Sequence, residues 1–88
     1  EIDPKVYDNY VGEYELAPNV IIKITKEDNS LYAQLTDQDK FEIFPESEEE
    51  FFYKVVDAKI TFQKDDTGNV THLILYQNAQ EIPANKIK

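Results

Sequence analysis

The chain has no cysteine and no methionine, and only two of its 88 residues are glycine. The lack of cysteine excludes disulfides, thiolate metal ligands and cysteine nucleophiles, although it does not identify a cellular compartment. No apolar run approaches the ~20 residues that a membrane-spanning helix needs, and no signal peptide is recognisable. Because even position 1 is not methionine, we expect this sequence to be a piece of a longer protein.

Basic residues are scarce, with 9 against 18 acidic residues and a formal net charge of −9. Such a surface repels phosphate backbones and anionic lipids, so nucleic acids and membrane surfaces are disfavoured as partners. High charge can indicate disorder, but the six tyrosines and five phenylalanines argue against it. We therefore predict one folded domain over residues 1–88, with a thin core.

The first residues, "IDPKVYDNY", predict a short helix. Asp3 is a good N-cap, and Pro4 suits the first helical position because its missing N–H has no helical partner there. Val6 and Tyr10 lie four residues apart and are predicted to share the buried face.

From Gly12 onward the apolar residues recur with a period of two, which is typical of half-buried strands. The alternating sets are Tyr14 and Leu16; Val20, Ile22 and Ile24; Leu31, Ala33 and Leu35; Phe41 and Ile43; Ala58, Ile60 and Phe62; and Ile82, Ala84 and Ile87. Two further runs are less clear: "FFYKVV" is short, and "VTHLILYQ" is apolar on both faces. Together they predict about eight strands, one roughly every ten residues.

Turn-forming residues separate these runs, and every connection is short. Gly68 in "DDTGN" fits a type I turn followed by a G1 bulge, whereas Ala79 in "QNAQ" weakens a type I′ turn that Asn-Gly would favour. Short connections make neighbouring strands antiparallel, and a meander of eight strands hides its edges best by closing. We predict an all-β, eight-stranded antiparallel up-and-down barrel, or a strongly curled sheet, with the N-terminal helix over one open end.

Gly12 lies where the chain leaves the helix and turns into the first strand. Glycine there can adopt positive φ or let two backbone segments touch. This structural role is preferred over a ligand role, with Tyr10 and Tyr14 packing on either side of the corner.

An ordered set of motifs then resembles a known family over nearly the whole chain. The residues are Tyr10, Gly12 and Tyr14; Leu31, Ala33 and Gln34; Phe41, Ile43, Pro45 and Ser47; Phe51 and Phe52; Ala58, Ile60 and Phe62; Asp66 and Gly68; and Ala84, Lys86 and Ile87. They are similar to the lipocalin-like C-terminal accessory domain of serine β-lactamase-like peptidases and penicillin-binding-protein relatives, a bacterial domain of unknown function. Ala79 departs from the glycine usual in that family.

The resemblance implies a lipocalin-like barrel of eight strands, a periplasmic or otherwise extracytoplasmic location and a supporting role beside a catalytic domain of the same parent chain. It does not identify which enzyme this copy serves.

No residue is predicted to be catalytic. A serine acyl-transfer site needs a nucleophile beside a base, as in Ser-x-x-Lys, and neither Ser30 nor Ser47 has that lysine. His72 is the only histidine and alternates with Val70, Ile74 and Tyr76; a surface or hydrogen-bonded role is preferred over metal binding.

Metal and cofactor sites are not predicted either. The acidic run at residues 46–50 is interpreted as a solvated turn, and "DDTGN" lacks the distal glutamate of an EF-hand. The "NVT" triplet at residues 69–71 fits a glycosylation acceptor but is given no weight in a bacterial-looking chain. No pair of carboxylates stands out as a glycosidase site.

The aromatic residues allow two interpretations of the barrel interior. Eight strands can enclose one small ligand or be filled by their own side chains, and the bulky inward candidates Tyr14, Phe41, Phe52 and Phe62 favour filling. The function expected is therefore a non-catalytic accessory barrel that shapes substrate access or oligomerisation, with a homo-oligomer as one expected assembly. The alternative is a small-molecule-binding module. Leu73 and Leu75 are assigned either to an exposed apolar patch or to the interior, because the register is open.

Overall fold

A computed structural model describes residues 4–88, which form one short helix and eight strands. The helix is a 3₁₀ helix, Pro4–Asn9, in the place where the sequence predicts one; its predicted N-cap, Asp3, lies outside the described residues. The strands are β1 (Gly12–Ala17), β2 (Val20–Glu27), β3 (Ser30–Leu35), β4 (Lys40–Pro45), β5 (Glu50–Tyr53), β6 (Ala58–Lys64), β7 (Val70–Gln77) and β8 (Gln80–Lys86).

The strands form a closed antiparallel barrel in sequence order, which confirms the predicted fold class. The seam between β1 and β8 pairs Tyr14 with Lys86 and Glu15 with Asn85. Beyond the strand end, the Ile87 N–H donates to the Glu13 carbonyl over 2.8 Å. Alternate residues of a strand direct their N–H groups to the same edge, so residue 83 faces β1 as Ile87 does. Because Pro83 has no N–H, this edge of β8 lacks one donor, which disfavours pairing with another chain.

The barrel interior is filled by side chains from every strand. The described residues that are buried are all hydrophobic, including Tyr in that class, and the largest fully buried ones are Tyr10, Tyr14, Phe51, Phe62, Ile22, Ile24, Leu31, Ile43, Ile60 and Leu73. The alternation predicted for β2, β3 and β6 is confirmed. Lys23 and Lys59 are exposed between buried neighbours, and Gln34 is exposed between buried Ala33 and half-buried Leu35. Closure thus leaves a packed core rather than an open cup.

The 3₁₀ helix and the residue that follows it cover one end of the barrel with two tyrosines, Tyr7 and Tyr10. Tyr10 is fully buried, as predicted, whereas its expected partner Val6 is only half-buried. Tyr7, which the sequence analysis did not single out, is buried instead and meets Phe51 edge-on at 5.6 Å between ring centroids. A 3₁₀ helix has three residues per turn, so positions 7 and 10 lie above one another, which explains the exchange.

Gly12 stands at the corner between this helix and β1. Its φ is +153°, and a Cβ there would overlap the carbonyl oxygen of Lys88 and lie 2.8 Å from Cε of Lys86. Glycine is needed because the backbones at Gly12 and Lys88 touch, which confirms the structural role predicted for it.

Two hairpin turns follow their predicted chemistry to different degrees. Gly68 has φ +87°, and its N–H donates to the Asp65 carbonyl over 3.1 Å, as expected of a turn followed by a left-handed glycine. Between β7 and β8, Asn78 and Ala79 have φ of +54° and +61°. Positive φ at both central residues is the type I′ signature, so this turn forms although Ala79 is poorly suited to it.

The prediction that Phe52 points inward was wrong. Phe51 is fully buried instead, and Phe52 lies on the outer face beside Phe44. The strand is also shorter than "FFYKVV" suggests, since β5 ends at Tyr53. Val55 and Val56 lie in the following loop and are 65% and 45% exposed. Phe41, a second inward candidate, packs against the core but is only half-buried.

The register of β7 also differs from the simple alternation. A bulge lies opposite Gln63 and Lys64, which pair with His72 and Val70 and skip Thr71. Val70 is therefore buried, although the sequence placed it on the His72 face. Leu73 and Leu75 point into the interior and form no exposed patch. Ile87 is 49% exposed, so its assignment to the inward set was wrong.

Candidate functional site

The hydrogen bonds of the two serines are not those of an acyl-transfer centre. Ser47 lies exposed in the β4–β5 loop, where its Oγ accepts a hydrogen bond from the Glu50 N–H over 3.3 Å. Ser30 is the first residue of β3 and pairs with Glu27. Among residues 4–88, neither hydroxyl is hydrogen-bonded to a lysine or histidine that would act as its base.

His72 lies half-buried on the outer face of β7. Its Nδ1 is 2.9 Å from the Thr71 hydroxyl, a neighbour that holds the imidazole against the strand. Among the described residues, no three histidine, aspartate or glutamate side chains converge as a metal site requires. The structure thus places His72 in a surface hydrogen bond.

The acidic run at residues 46–50 is anchored by two ion pairs and by hydrogen bonds to its backbone, one of them from the Phe62 N–H to the Glu49 carbonyl over 2.9 Å. Glu46 pairs with Lys59 over 3.2 Å, and Glu49 pairs with Lys64 over 3.9 Å. The Glu48 carbonyl accepts a hydrogen bond from the Tyr10 hydroxyl over 2.7 Å. The loop therefore joins the helix-covered end of the barrel to β6, and two of its carboxylates face lysines.

The "DDTGN" turn is organised by a single carboxylate. Asp65 Oδ1 accepts hydrogen bonds from the Thr67 hydroxyl at 2.7 Å, the Thr67 N–H at 2.9 Å and the Asn69 N–H at 3.0 Å. These bonds, above all the one from the Thr67 hydroxyl, lower the pKa of Asp65. The carboxylate acts as the acceptor around which the turn folds.

Two aromatic residues lie on the outer wall of β4 and β5, and we call Phe44 and Phe52, together with Lys54 just after β5, the outer patch. The rings of Phe44 and Phe52, directly opposite each other across the two strands, are 5.9 Å apart. Lys54 Nζ lies 4.1 Å from the Phe44 ring centroid, a cation–π contact. The alternation of "KFEIF" places Phe44 and Ile43 on different faces of the strand, so the sequence alone predicts that Phe44 points outward. The outward position of Phe52 follows only from the pairing of β5 with β4.

A shallow groove adjoins the outer patch. It has a volume of 390 Å³ and is lined by Glu46, by Phe52 and Tyr53 of β5, by Asp57 of the β5–β6 loop, and by Ala58 and Lys59 at the start of β6. The Lys59–Glu46 ion pair crosses one side of it. An aromatic pair next to a groove with charges of both signs is suited to contact with another protein surface.

Comparison with known proteins places the chain in a family. A family model described as a domain of unknown function (DUF3471) matches residues 1–86. Penicillin-binding protein 4* of Bacillus subtilis (strain 168) is 31% identical over 87 residues, which are 99% of this chain and 19% of that protein. The chain thus spans a small part of that relative's length. No solved structure matches the chain significantly. Within residues 4–88, no helix has the length and apolar character needed to cross a membrane.

Proposed function

The chain belongs to the DUF3471 family, and we propose that it is a non-catalytic, lipocalin-like accessory barrel in the C-terminal part of a serine β-lactamase-like hydrolase or peptidase. The parent would act outside the cytoplasm, in the periplasm or an equivalent compartment. The barrel would influence substrate access or assembly by its shape and surface.

The extent of the similarity to penicillin-binding protein 4* carries this proposal. The similar region makes up 99% of this chain and 19% of penicillin-binding protein 4*, as expected of one module within a larger protein. Several polar residues of the module have structural partners: Ser47 stabilises a loop, Asp65 stabilises a turn, and His72 bonds to Thr71. A barrel of this kind contributes a surface to a catalytic neighbour.

The outer patch is the surface proposed to face that neighbour. Phe44 and Phe52 remain half-buried on the outside of the barrel and take no part in its buried core. Aromatic residues are enriched at protein interfaces, and charged residues at the edge commonly set orientation. Lys54, Lys59 and Glu46 provide both charges beside the rings. The same patch could join two copies of the parent, which makes a homo-oligomer the second proposed use.

The test uses the full-length protein that carries this barrel. Phe44 and Phe52 are both replaced by alanine, and the rate of acylation by a fluorescent penicillin is measured together with the molar mass in solution. The matched control is Tyr32→Ala, which removes another outward aromatic, stacked under Lys40 at 5.1 Å, from β3. We expect the double variant, and not Tyr32→Ala, to change the acylation rate or the mass.

Each part of the proposal has its own contrary result. An unchanged acylation rate and mass in a folded double variant would refute the interface role of the outer patch. Hydrolysis of a β-lactam or ester by the isolated 88-residue chain, retained after Ser30→Ala and Ser47→Ala, would refute the non-catalytic assignment.

A further inference from the structure

The end of the barrel opposite the 3₁₀ helix contains a small pocket. It has a volume of 130 Å³, and its walls include Leu35 of β3, Phe41 of β4, Ala58 of β6 and Leu75 of β7. Val56, in the exposed β5–β6 loop, lies at its edge. The aromatic cluster of Tyr10, Phe51 and Phe62 packs under the helix at the other end of the barrel, so it does not fill this space.

Three neutral polar side chains complete the lining, those of Tyr53, Gln38 and Gln77. Tyr53 is only 8% exposed, yet no hydrogen bond within residues 4–88 engages its hydroxyl. Burial raises the pKa of Tyr53 to about 12, so the phenol is a neutral donor at physiological pH. All eight lining residues are uncharged, in a protein with a net charge of −9.

The volume limits what can enter. Drug-sized ligands occupy pockets of roughly 300–1,000 Å³, whereas an apolar cavity of about 150 Å³ can bind benzene. The pocket of 130 Å³ is therefore suited to one ring or one branched aliphatic group. The Tyr53 hydroxyl has no hydrogen-bond partner within residues 4–88, so it can bond to a guest in the pocket that carries a polar atom.

We propose that this mouth pocket binds a single uncharged apolar group, of the size of one six-membered ring, that carries one hydroxyl or carbonyl hydrogen-bonded to Tyr53. The group can belong to a free small molecule or to the side chain of a polypeptide, since the recognising chemistry is the same. This site is separate from the outer patch and does not depend on the proposed function.

The experiment titrates the 88-residue chain with p-cresol and with toluene, and follows backbone amide chemical shifts. Toluene has the same ring and methyl group without the hydroxyl. We expect shifts at the residues around the pocket and millimolar dissociation constants, with p-cresol the tighter ligand by about threefold to tenfold, the usual contribution of one neutral hydrogen bond.

Two variants separate shape from hydrogen bonding. Tyr53→Phe removes only the hydroxyl, so the preference for p-cresol over toluene should disappear while toluene binding is kept. Ala58→Leu fills the pocket and should weaken both ligands by more than about tenfold. Tyr76→Phe is the matched control, because this tyrosine lies half-buried on β7 but outside the pocket, and it should change neither constant.

The outcomes are distinct. Shifts confined to Phe44 and Phe52, or an unchanged preference for p-cresol in Tyr53→Phe, would overturn the proposal. Unchanged binding to folded Ala58→Leu would also overturn it; if that variant does not fold, the Tyr53→Phe result decides. N-acetyl-tyrosinamide then separates the two sources, since its binding supports a polypeptide side chain and its exclusion supports a free molecule.

Discussion

The ring of Tyr10 stacks face to face on Phe62, with 4.2 Å between the centroids and 7° between the planes. This pair joins the 3₁₀ helix to β6, and both rings also meet Phe51 edge-on. Tyr10 uses its polar groups as well: its hydroxyl donates to the Glu48 carbonyl, and its carbonyl accepts from the Tyr14 hydroxyl over 2.8 Å. One residue thus connects the helix, the acidic loop and the barrel core.

Replacement of Tyr10 should show that its ring matters more than its hydroxyl. Tyr10→Ala is expected to lower the free energy of unfolding by about 3–5 kcal/mol, because it leaves a cavity beside Phe62. Tyr10→Phe removes only the bond to Glu48 and should cost about 1 kcal/mol. Urea denaturation measures both, and equal losses would contradict the dominance of ring packing.

Gly12 should tolerate alanine less well than the other glycine does. Gly12→Ala introduces a Cβ against the Lys88 backbone at positive φ, and we expect a loss of about 1–3 kcal/mol in unfolding free energy. Gly68→Ala is the control, since φ is again positive but nothing lies within 4 Å of the new Cβ. Thermal and urea unfolding that rank Gly68→Ala as the more damaging change would contradict the contact at the corner.

Ala79 should be a site where glycine stabilises the protein. It occupies the second central position of the type I′ turn at φ +61°, which is unfavourable for a residue with a Cβ. We expect Ala79→Gly to raise the unfolding free energy by about 0.5–1 kcal/mol. Ala17→Gly, at the exposed end of β1, is the control and should instead lower it. A loss of stability in Ala79→Gly would refute the strain assigned to this turn.

Asp65 should contribute stability that depends on pH. Its pKa is lowered in the folded state, so the contribution is present above the unfolded pKa of about 3.9 and is lost as the pH falls through the lower folded value. Asp65→Asn keeps an oxygen acceptor but cannot titrate. The difference in unfolding free energy between the wild type and this variant should be constant between about pH 5 and 7 and shrink below about pH 3.9. A difference in unfolding free energy that grows on acidification would contradict the lowered pKa of Asp65.

The sequence predicts a strand best where one face is clearly apolar. β2, β3 and β6 alternate without ambiguity, and their buried residues lie where the alternation places them. β5 has only four residues and contains two adjacent phenylalanines, so either ring could point inward. Pairing with β4 decides the matter, because Phe52 lies opposite Phe44 and Phe51 opposite Pro45.

The turn at Asp65 and the mouth pocket also differ in how far the sequence predicts them. Local sequence indicates that Asp65 and Gly68 make a turn, since their partners lie within four residues. The mouth pocket could not be predicted in this way, because Leu35, Tyr53 and Leu75 come from three distant strands. The extra residue at Thr71, which turns Val70 inward, is equally invisible to an alternating pattern.

By itself the sequence determined an all-β chain of about eight antiparallel strands with a helix at its start, because side-chain alternation and turn chemistry are local properties. The tertiary structure decided which phenylalanine of the pair at residues 51 and 52 faces inward, that Leu73 and Leu75 belong to the core, and that Lys88 approaches Gly12. These outcomes depend on strand register and closure. A shift by one residue exchanges the two faces of a strand, and only contact with its neighbours sets that shift.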